Sequence, residues 1–411
     1  MKIIYVTASL PYGATEIFAI PELRELTRRG HEVRIIPMSR YTDHAHSDAT
    51  AFLPMTRYEP LVSPKVVSAG FAELARHPLK VQRVLAKLTK DQPKNIVKKN
   101  RAVLLRSLWL AHYARVWGAD HIHAYWASVA GSAAMIAGEV SGVPWSFTAH
   151  RWDIAQPNAL SAKVESARFA RFISQDGLDL AQGAGGPALA QRATIIRMGV
   201  PLEPNEGRRT EPSAGTDLRL VCTGSLIPRK GQRFLLEALA RLKAEGVHAS
   251  VDFAGEGETR PELLAQASRL GIAEQVTLRG NVDHAELLAD YSAGRYDAFV
   301  LPSLHEGISV ALIEAMSRGL PAIATDVGGT RELLTEGAGL LIPAEDVDSI
   351  VEAVRKLALD KPLRANLART GRQRVLAEYD IVGIVDALEA RFRGEASAPG
   401  SAAPTMTLER A

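Results

Sequence analysis

Short apolar runs alternate along this chain with longer stretches in which apolar side chains recur every three or four positions, and the whole pattern occurs twice. Residues 2–8 read as an apolar strand and 10–15 as a turn. A helix follows to about Arg29, closed by Gly30, and leads into a strand over 33–37. Further buried strands are predicted over 121–124, 144–148, 169–174 and 193–197, with a helix of small residues from Ser128 to Glu139. The polar stretch EPNEGRRTEPSAGTD, 203–217, then breaks the pattern, and its Pro and Gly content marks a linker. After it the alternation restarts, with strands over 218–223, 251–254, 276–278, 298–301, 321–325 and 339–342. Strands separated by helices imply parallel sheets covered on both faces. Two more amphipathic helices follow, one through Val347, Ile350, Val351 and Val354, the other through Ile381, Ile384, Val385, Leu388 and Phe392. Beyond Gly394 the Ala-, Ser-, Pro- and Gly-rich tail is expected to be disordered.

The expected division is therefore an α/β domain over 1–200, a linker over 201–217, a second α/β domain over 218–375, a helix over 376–394 and a tail over 395–411. At 411 residues the chain is long for one core and comfortable for two.

Charge changes this picture in one place. The net charge of +3 is too small to argue for nucleic acid, but between Arg76 and Arg106 ten lysines and arginines meet a single acid, Asp91. Within that stretch Val81, Val84, Leu85 and Leu88 fall on one helical face, flanked by Lys80, Arg83, Lys87 and Lys90. A helix of this kind over 79–90 suits an anionic membrane surface, and it equally suits packing on its own domain. Cys222 is the one cysteine, so no internal disulfide can form and a reducing compartment is expected. The N-terminal apolar run meets Pro11 and Gly13 too early for a signal peptide, and no segment approaches the roughly 18 apolar residues of a spanning helix. The expectation is a cytoplasmic protein, at most peripheral on the inner face of a membrane.

The candidate chemistry concentrates in DAFVLPSLHEGISVALIEAMSRGLPAIATDVGGTREL, 297–333. A buried strand ends at Pro302-Ser303, and a loop delivers Glu306 and Gly307 to a helix expected from Ile308 to Arg318, closed by Gly319. Backbone N–H groups of Gly307, Ile308, Ser309 and Val310 would then face an anion, as ligands of open parallel sheets collect at such strand ends. Upstream, Arg229 and Lys230 lie in a Gly-bounded loop after a strand, placed to neutralise a diphosphate; the alternative is a solvated basic pair before a helix. His150 ends a buried strand and opens the polar turn Arg151-Trp152-Asp153, where it either faces a ligand or bonds locally to Asp153. His121 and His123 share one face of a strand, but two histidines make an incomplete metal site, so no metal is expected there. Asp346-Val347-Asp348 has an Asp-x-Asp spacing but starts a helix.

Glu306 and Glu314 stand in EGISVALIE, and with GSLIPRKG (224–231), AGEGETRPEL (254–263), LRGNVDHAEL (278–287), VLPS (300–303) and SFTAHRWDI (146–154) the chain resembles the retaining glycosyltransferases of family four up to about Phe392. That resemblance implies the GT-B fold, two Rossmann-like parallel-sheet domains facing across a cleft, with the last helix returning to the first domain. It implies a hexosyltransferase that takes a UDP- or GDP-linked sugar, works on an acceptor glycan or glycolipid and needs no metal or other cofactor. By the same resemblance Glu314 accepts from the ribose hydroxyls, and Glu306 and His150 touch the donor sugar. Gly224, Arg229, Lys230 and Gly307 to Val310 would hold the donor, with Asn281 and Val282 in the stretch that meets the base. Many members carry Gly-Gly-x-Glu after the first strand. Here that loop is Pro11-Tyr12-Gly13-Ala14-Thr15-Glu16, a variant resembling relatives in exopolysaccharide assembly, and no role is carried onto Tyr12 or Gly13.

Two other functions compete. An NAD-dependent oxidoreductase would need G-x-G-x-x-G after a strand, and Gly255-Glu256-Gly257 lacks the third glycine. A non-catalytic nucleotide-sugar-binding protein would bind the same donor without turnover.

Overall fold

A computed structural model describes residues 1–13, 16–40, 42, 45, 47–202 and 217–395. Residues 203–216 of the linker, and the tail from residue 396, lie outside them. The chain divides into two compact units, one comprising Met1–Gly199 and the segment from Ile381 onward, the other Val200–Asp380.

The first unit is built on six strands, β1 (Lys2–Thr7), β2 (Glu32–Pro37), β3 (His121–Ala124), β4 (Trp145–Ala149), β5 (Ala170–Phe172) and β6 (Ala193–Ile195). They pair in parallel in the order β2-β1-β3-β4-β5-β6. Ile3, Ile4, Tyr5 and Val6 are fully buried, as a strand covered on both faces requires. The order reverses between β1 and β3, so the loops leaving those two strands emerge side by side. The small-residue helix forms over Val129–Ser141. Its composition follows from proximity, because a Cβ on Gly138 would lie 2.7 Å from the Trp145 ring.

The helix Ile381–Arg393 packs in this unit. Phe392 lies 4.7 Å from the His121 ring, Glu389 meets His31 at 2.8 Å and Arg29 bonds Asp386. Residue 376 falls inside the preceding helix, Lys361–Glu378, so the chain breaks at Tyr379-Asp380 rather than where the sequence pattern placed it.

The basic stretch forms the helices Pro78–Thr89 and Lys94–Ala102. Val81, Val84 and Leu88 are buried in the unit's own core, so that apolar face is not free to enter a membrane. Lys80, Arg83, Lys87, Lys90, Lys94, Lys98 and Arg101 stay exposed, as does Leu79. Among the described residues no helix is long and apolar enough to cross a membrane.

The second unit repeats the plan with β7 (Leu218–Thr223), β8 (Ala249–Ala254), β9 (Val276–Gly280), β10 (Ala298–Leu301), β11 (Ala322–Thr325) and β12 (Leu340–Ile342). All pairs are parallel, in the order β12-β11-β10-β7-β8-β9. Here the order reverses between β7 and β10, which brings the loops after those strands together. Cys222 on β7 is a core side chain whose thiol burial pushes up to about 12.

Candidate functional site

In the second unit, β7 ends at Thr223 and Gly224 turns the chain with φ +144°. A short 3-10 turn, Pro228–Lys230, follows and closes on Gly231. Gly231 has φ +67°, and a Cβ there would lie 2.0 Å from the carbonyl oxygen of Pro302, just past the end of β10. Only glycine lets the two loops approach this closely. The contact has consequences for the side chains beside it. Leu304 N–H donates to the Arg229 carbonyl at 2.8 Å, and the Arg229 guanidinium donates to the His305 carbonyl at 3.0 Å. The Lys230 ammonium meets Glu306 Oε1 at 2.6 Å, and the Ser303 hydroxyl donates to the same oxygen at 2.6 Å. The pair is largely buried, with 15% of the Lys230 side chain and 7% of that of Glu306 exposed. A third loop, after β11, clamps the turn from the other side. Gly328, φ +55°, stands where a Cβ would lie 2.0 Å from the Glu306 carbonyl, and Gly329 N–H donates to the Gly307 carbonyl at 2.7 Å.

The helix beyond this turn runs over Val310–Ser317, shorter than the predicted 308–318. Ser309 is its N-cap, with a hydroxyl that accepts from Leu312 N–H at 3.4 Å, so Ile308 and Ser309 lie outside the helix. Glu306 therefore is not a helix cap; the lysine ammonium holds it. Gly307 to Val310 lead into the first turn, whose N–H groups lack intrahelical acceptors. Glu314 projects from the middle of the helix, and its carboxylate meets the His284 ring at 2.8 Å. Nothing in the sequence paired these two, which are thirty positions apart.

Asn281 is exposed and Val282 half-buried in the turn between β9 and the helix His284–Ser292. Arg279 beside them is engaged by Asp290, Glu286 and Tyr296. The Gly-x-Gly of 255–257 has a packing reason. A Cβ on Gly255 would lie 2.1 Å from the Gly224 carbonyl oxygen, and one on Gly257 2.2 Å from that of Leu226. These glycines let the loop after β8 lie against the loop carrying Arg229 and Lys230. Asp346 of the Asp-x-Asp spacing caps the helix Val347–Leu359 through Ser349 N–H.

In the first unit, His150 follows β4 as the N-cap of a short helix, Arg151–Ala155. Its N–H donates to Asp153 Oδ1 at 2.7 Å, while the other Asp153 oxygen takes the N–H of Ala127 in the loop after β3. The Lys163 ammonium donates to the carbonyls of Ala127 and Ser128 at 2.6 and 2.7 Å. Burial pushes Asp153 up to about 7 and Lys163 down to about 7. Burial and the Arg171 cation hold His150 down at about 3, so the imidazole is neutral at physiological pH. Among the described residues Nε2 is buried without a hydrogen-bond partner, which leaves that nitrogen to a ligand. Trp126 lies 4.4 Å from the His150 ring, Phe18 5.4 Å and Tyr125 5.6 Å. No sequence pattern marked these aromatics.

His121 and His123 do share a face, and both engage the Ser146 hydroxyl at 2.7 Å, with His123 also 2.9 Å from that of Thr148. Among the described residues no three His, Cys, Asp or Glu side chains gather as a metal site would need.

Residues 205–374 match the family model described as glycosyl transferases group 1. Over 282 residues the chain is 30% identical to a glycogen synthase of Mycobacterium tuberculosis, covering 65% of this chain and 66% of that protein. Over 189 residues it is 30% identical to a GDP-mannose-dependent alpha-(1-6)-phosphatidylinositol monomannoside mannosyltransferase of the same species, covering 42% of this chain and 49% of that protein. The crystal structure of Anabaena HepE in complex with UDP aligns with a TM-score of 0.69 at 18% identity, covering 96% of this chain and 100% of that one. At that identity the likeness speaks for the fold. The chain thus has the two parallel-sheet α/β domains of the GT-B architecture and carries a glycosyl transferases group 1 domain.

Proposed function

We propose that the protein is a retaining hexosyltransferase that moves a sugar from a nucleoside diphosphate sugar to an acceptor hydroxyl in polysaccharide or glycolipid assembly. The observation that carries this reading is the Lys230–Glu306 pair, held where the second unit's sheet reverses its strand order, within the matched family domain. Ligands of open α/β sheets bind at such a reversal.

The diphosphate gains charge as the bond from the anomeric carbon to its oxygen breaks. Lys230 and Arg229, with the N–H groups of Gly307 to Val310 at the helix start, meet that charge without reorganising. Gly224 keeps the phosphate side of the loop open. Glu314 accepts from ribose hydroxyls, and the turn at Asn281-Val282 meets the base. Glu306 takes a hydroxyl of the donor sugar; in the first unit, His150 Nε2 is open to a sugar hydroxyl. Retention follows a front-face course. The acceptor oxygen bonds to the anomeric carbon on the face the diphosphate leaves, and the acceptor's proton passes to the departing phosphate oxygen. The chemistry on this reading uses no metal ion, because protein cations and amides answer the leaving charge.

HepE was crystallised with UDP and also with UDP-glucose, and the mannosyltransferase uses GDP-mannose; both support a UDP- or GDP-linked donor. The mannosyltransferase acts on a phosphatidylinositol monomannoside, which with the exposed basic helices supports a lipid-linked acceptor and work at the inner membrane face. With Val81, Val84 and Leu88 inside the core, that contact is electrostatic. An oxidoreductase loses ground, because Gly255 and Gly257 serve loop packing.

Glu306→Ala and Lys230→Ala should each abolish transfer from an active NDP-sugar while circular dichroism stays native. Near-normal turnover in either variant defeats the reading, and tight binding without turnover in the wild type favours the non-catalytic alternative.

A further inference from the structure

The carboxylate of Glu16 does more than close a turn. The side chain is fully buried. Oε1 accepts from Ala8 N–H at 2.8 Å, and Oε2 accepts from Ser9 N–H at 2.6 Å and Leu10 N–H at 2.8 Å. Three consecutive amides after β1 thus point at one anion, an arrangement that binds negative charge strongly. The Ser9 hydroxyl adds a longer bond to Oε2 at 3.4 Å, and a further donor comes from elsewhere. The indole Nε1–H of Trp126, in the loop after β3, donates to Oε1 at 2.6 Å. β1 and β3 are the strands between which this sheet reverses order, so one side chain ties together the two loops at the reversal.

Trp126 in turn forms the nearest wall of the His150 pocket, with ring centroids 4.4 Å apart and planes at 38°. Phe18, two residues after Glu16, forms another wall at 5.4 Å and packs 6.2 Å from the Trp126 ring. An imidazole whose Nε2 has no hydrogen-bond partner among the described residues has no bond at that edge to fix its plane. The rest of its orientation comes from these rings. An indole held by its N–H to a charged acceptor cannot rotate or slide without breaking that bond.

We propose that Glu16 is a positioning residue for His150, acting through the indole N–H of Trp126. Glu16 does not touch the donor sugar; it sets the ring that sets the histidine. This rests on the function proposed above only for its kinetic consequence, because the positioning itself is a property of the ligand-free protein.

The test is a double-mutant cycle with two readouts. Glu16→Gln replaces one acceptor oxygen by an N–H donor that faces other donors, so at least two of these bonds must fail, because each oxygen accepts from two or more of them. Trp126→Phe keeps a ring in the wall but deletes the N–H, and it leaves the Glu16 contacts to residues 8–10 in place should Glu16→Gln fold poorly. Each single variant should lower kcat by about tenfold to 100-fold, the scale expected for a catalytic contact displaced by a fraction of an ångström to one ångström. Affinity for the nucleoside diphosphate, held by the second unit, should not change. The double variant should be no slower than the slower single variant by more than about twofold. Multiplying losses would overturn the proposal, as would an unchanged kcat in both single variants. The second readout needs no turnover. The chain has five tryptophans, and the indole N–H resonance lost in Trp126→Phe identifies that of Trp126. In Glu16→Gln this resonance should move upfield and the His150 ring protons should shift with it. His150 resonances that stay in place would overturn the positioning claim, whatever the enzyme transfers.

Discussion

Replacing Gly231 by alanine should separate the two loops that hold the Lys230–Glu306 pair, and its effect can be divided into two parts. The first is backbone strain, since φ +67° lies in the left-handed region, which costs a non-glycine residue about 1–2 kcal/mol. The second is the contact. The new Cβ would lie 2.0 Å from the Pro302 oxygen and 3.0 Å from its carbon, whereas carbon and oxygen ordinarily approach to about 3.3 Å. The loops must part by about 1 Å, because backbone stands on both sides. That movement carries the 2.8 Å bond from Leu304 to Arg229 and the 2.6 Å contact of Lys230 with Glu306 beyond hydrogen-bonding reach. A neutral bond is worth about 1 kcal/mol and a charged one about 1.5–3. The contact part is therefore roughly 2.5–4 kcal/mol on top of the strain. Gly246 supplies the control, with φ +76° and nothing within 4 Å of a Cβ. Gly246→Ala should cost only the strain, about 1–2 kcal/mol. Urea unfolding of both variants measures the difference, and calorimetry with a nucleoside diphosphate reads the site. Gly231→Ala should lose ligand affinity and Gly246→Ala should keep it. Equal unfolding midpoints, or equal affinities, would refute the reasoning.

Three further expectations follow from particular groups. Burial holds His121 and His150 at about 3 and His123 well below its usual value, so the unfolded chain binds protons that the folded one refuses as pH falls below about 6.5. Stability should fall from there toward pH 3, approaching about 1.4 kcal/mol per pH unit for each histidine; a flat unfolding midpoint between pH 6.5 and 5 would contradict those burials. Glu314→Gln should weaken a ribonucleoside diphosphate about tenfold, by loss of a charged acceptor, and leave its 2′,3′-dideoxy analogue nearly unaffected; equal losses would remove the ribose role. Wild-type protein should sediment with anionic but not neutral vesicles, and neutralising Lys94, Lys98 and Arg101 together should reduce that; unchanged sedimentation would remove the basic helices from the proposal.

How far the sequence could be read depended on whether a feature was local. Buried strands and their flanking helices announce themselves in short apolar runs, and both sheets formed where those runs lie. Glu306 and Lys230 were each visible in a Gly-bounded loop after a strand. Their 2.6 Å contact was not, because it depends on β7 and β10 becoming neighbours. The partnership of Glu16 with Trp126 is likewise set by which strands the sheet brings together, and that of His284 with Glu314 by the packing of their two helices against each other. Gly255 and Gly257 looked like a broken cofactor fingerprint and turned out to serve a backbone contact with Gly224 and Leu226. The helix Pro78–Thr89 shows a limit of periodicity. Val81, Val84 and Leu88 give the same apolar stripe whether it meets lipid or the protein's own core, and only the packing decided for the core.

The central claim is that the second unit grips the diphosphate of a sugar donor at Lys230. Titration calorimetry of the wild type and Lys230→Met against UDP, GDP, ADP and dTDP tests it most directly. The account predicts that at least one of these binds the wild type and that Lys230→Met weakens that ligand by about 100-fold or more, the scale of a lost charged contact in a water-poor site. Failure of all four to bind the wild type, or equal affinity in the two proteins, would contradict it.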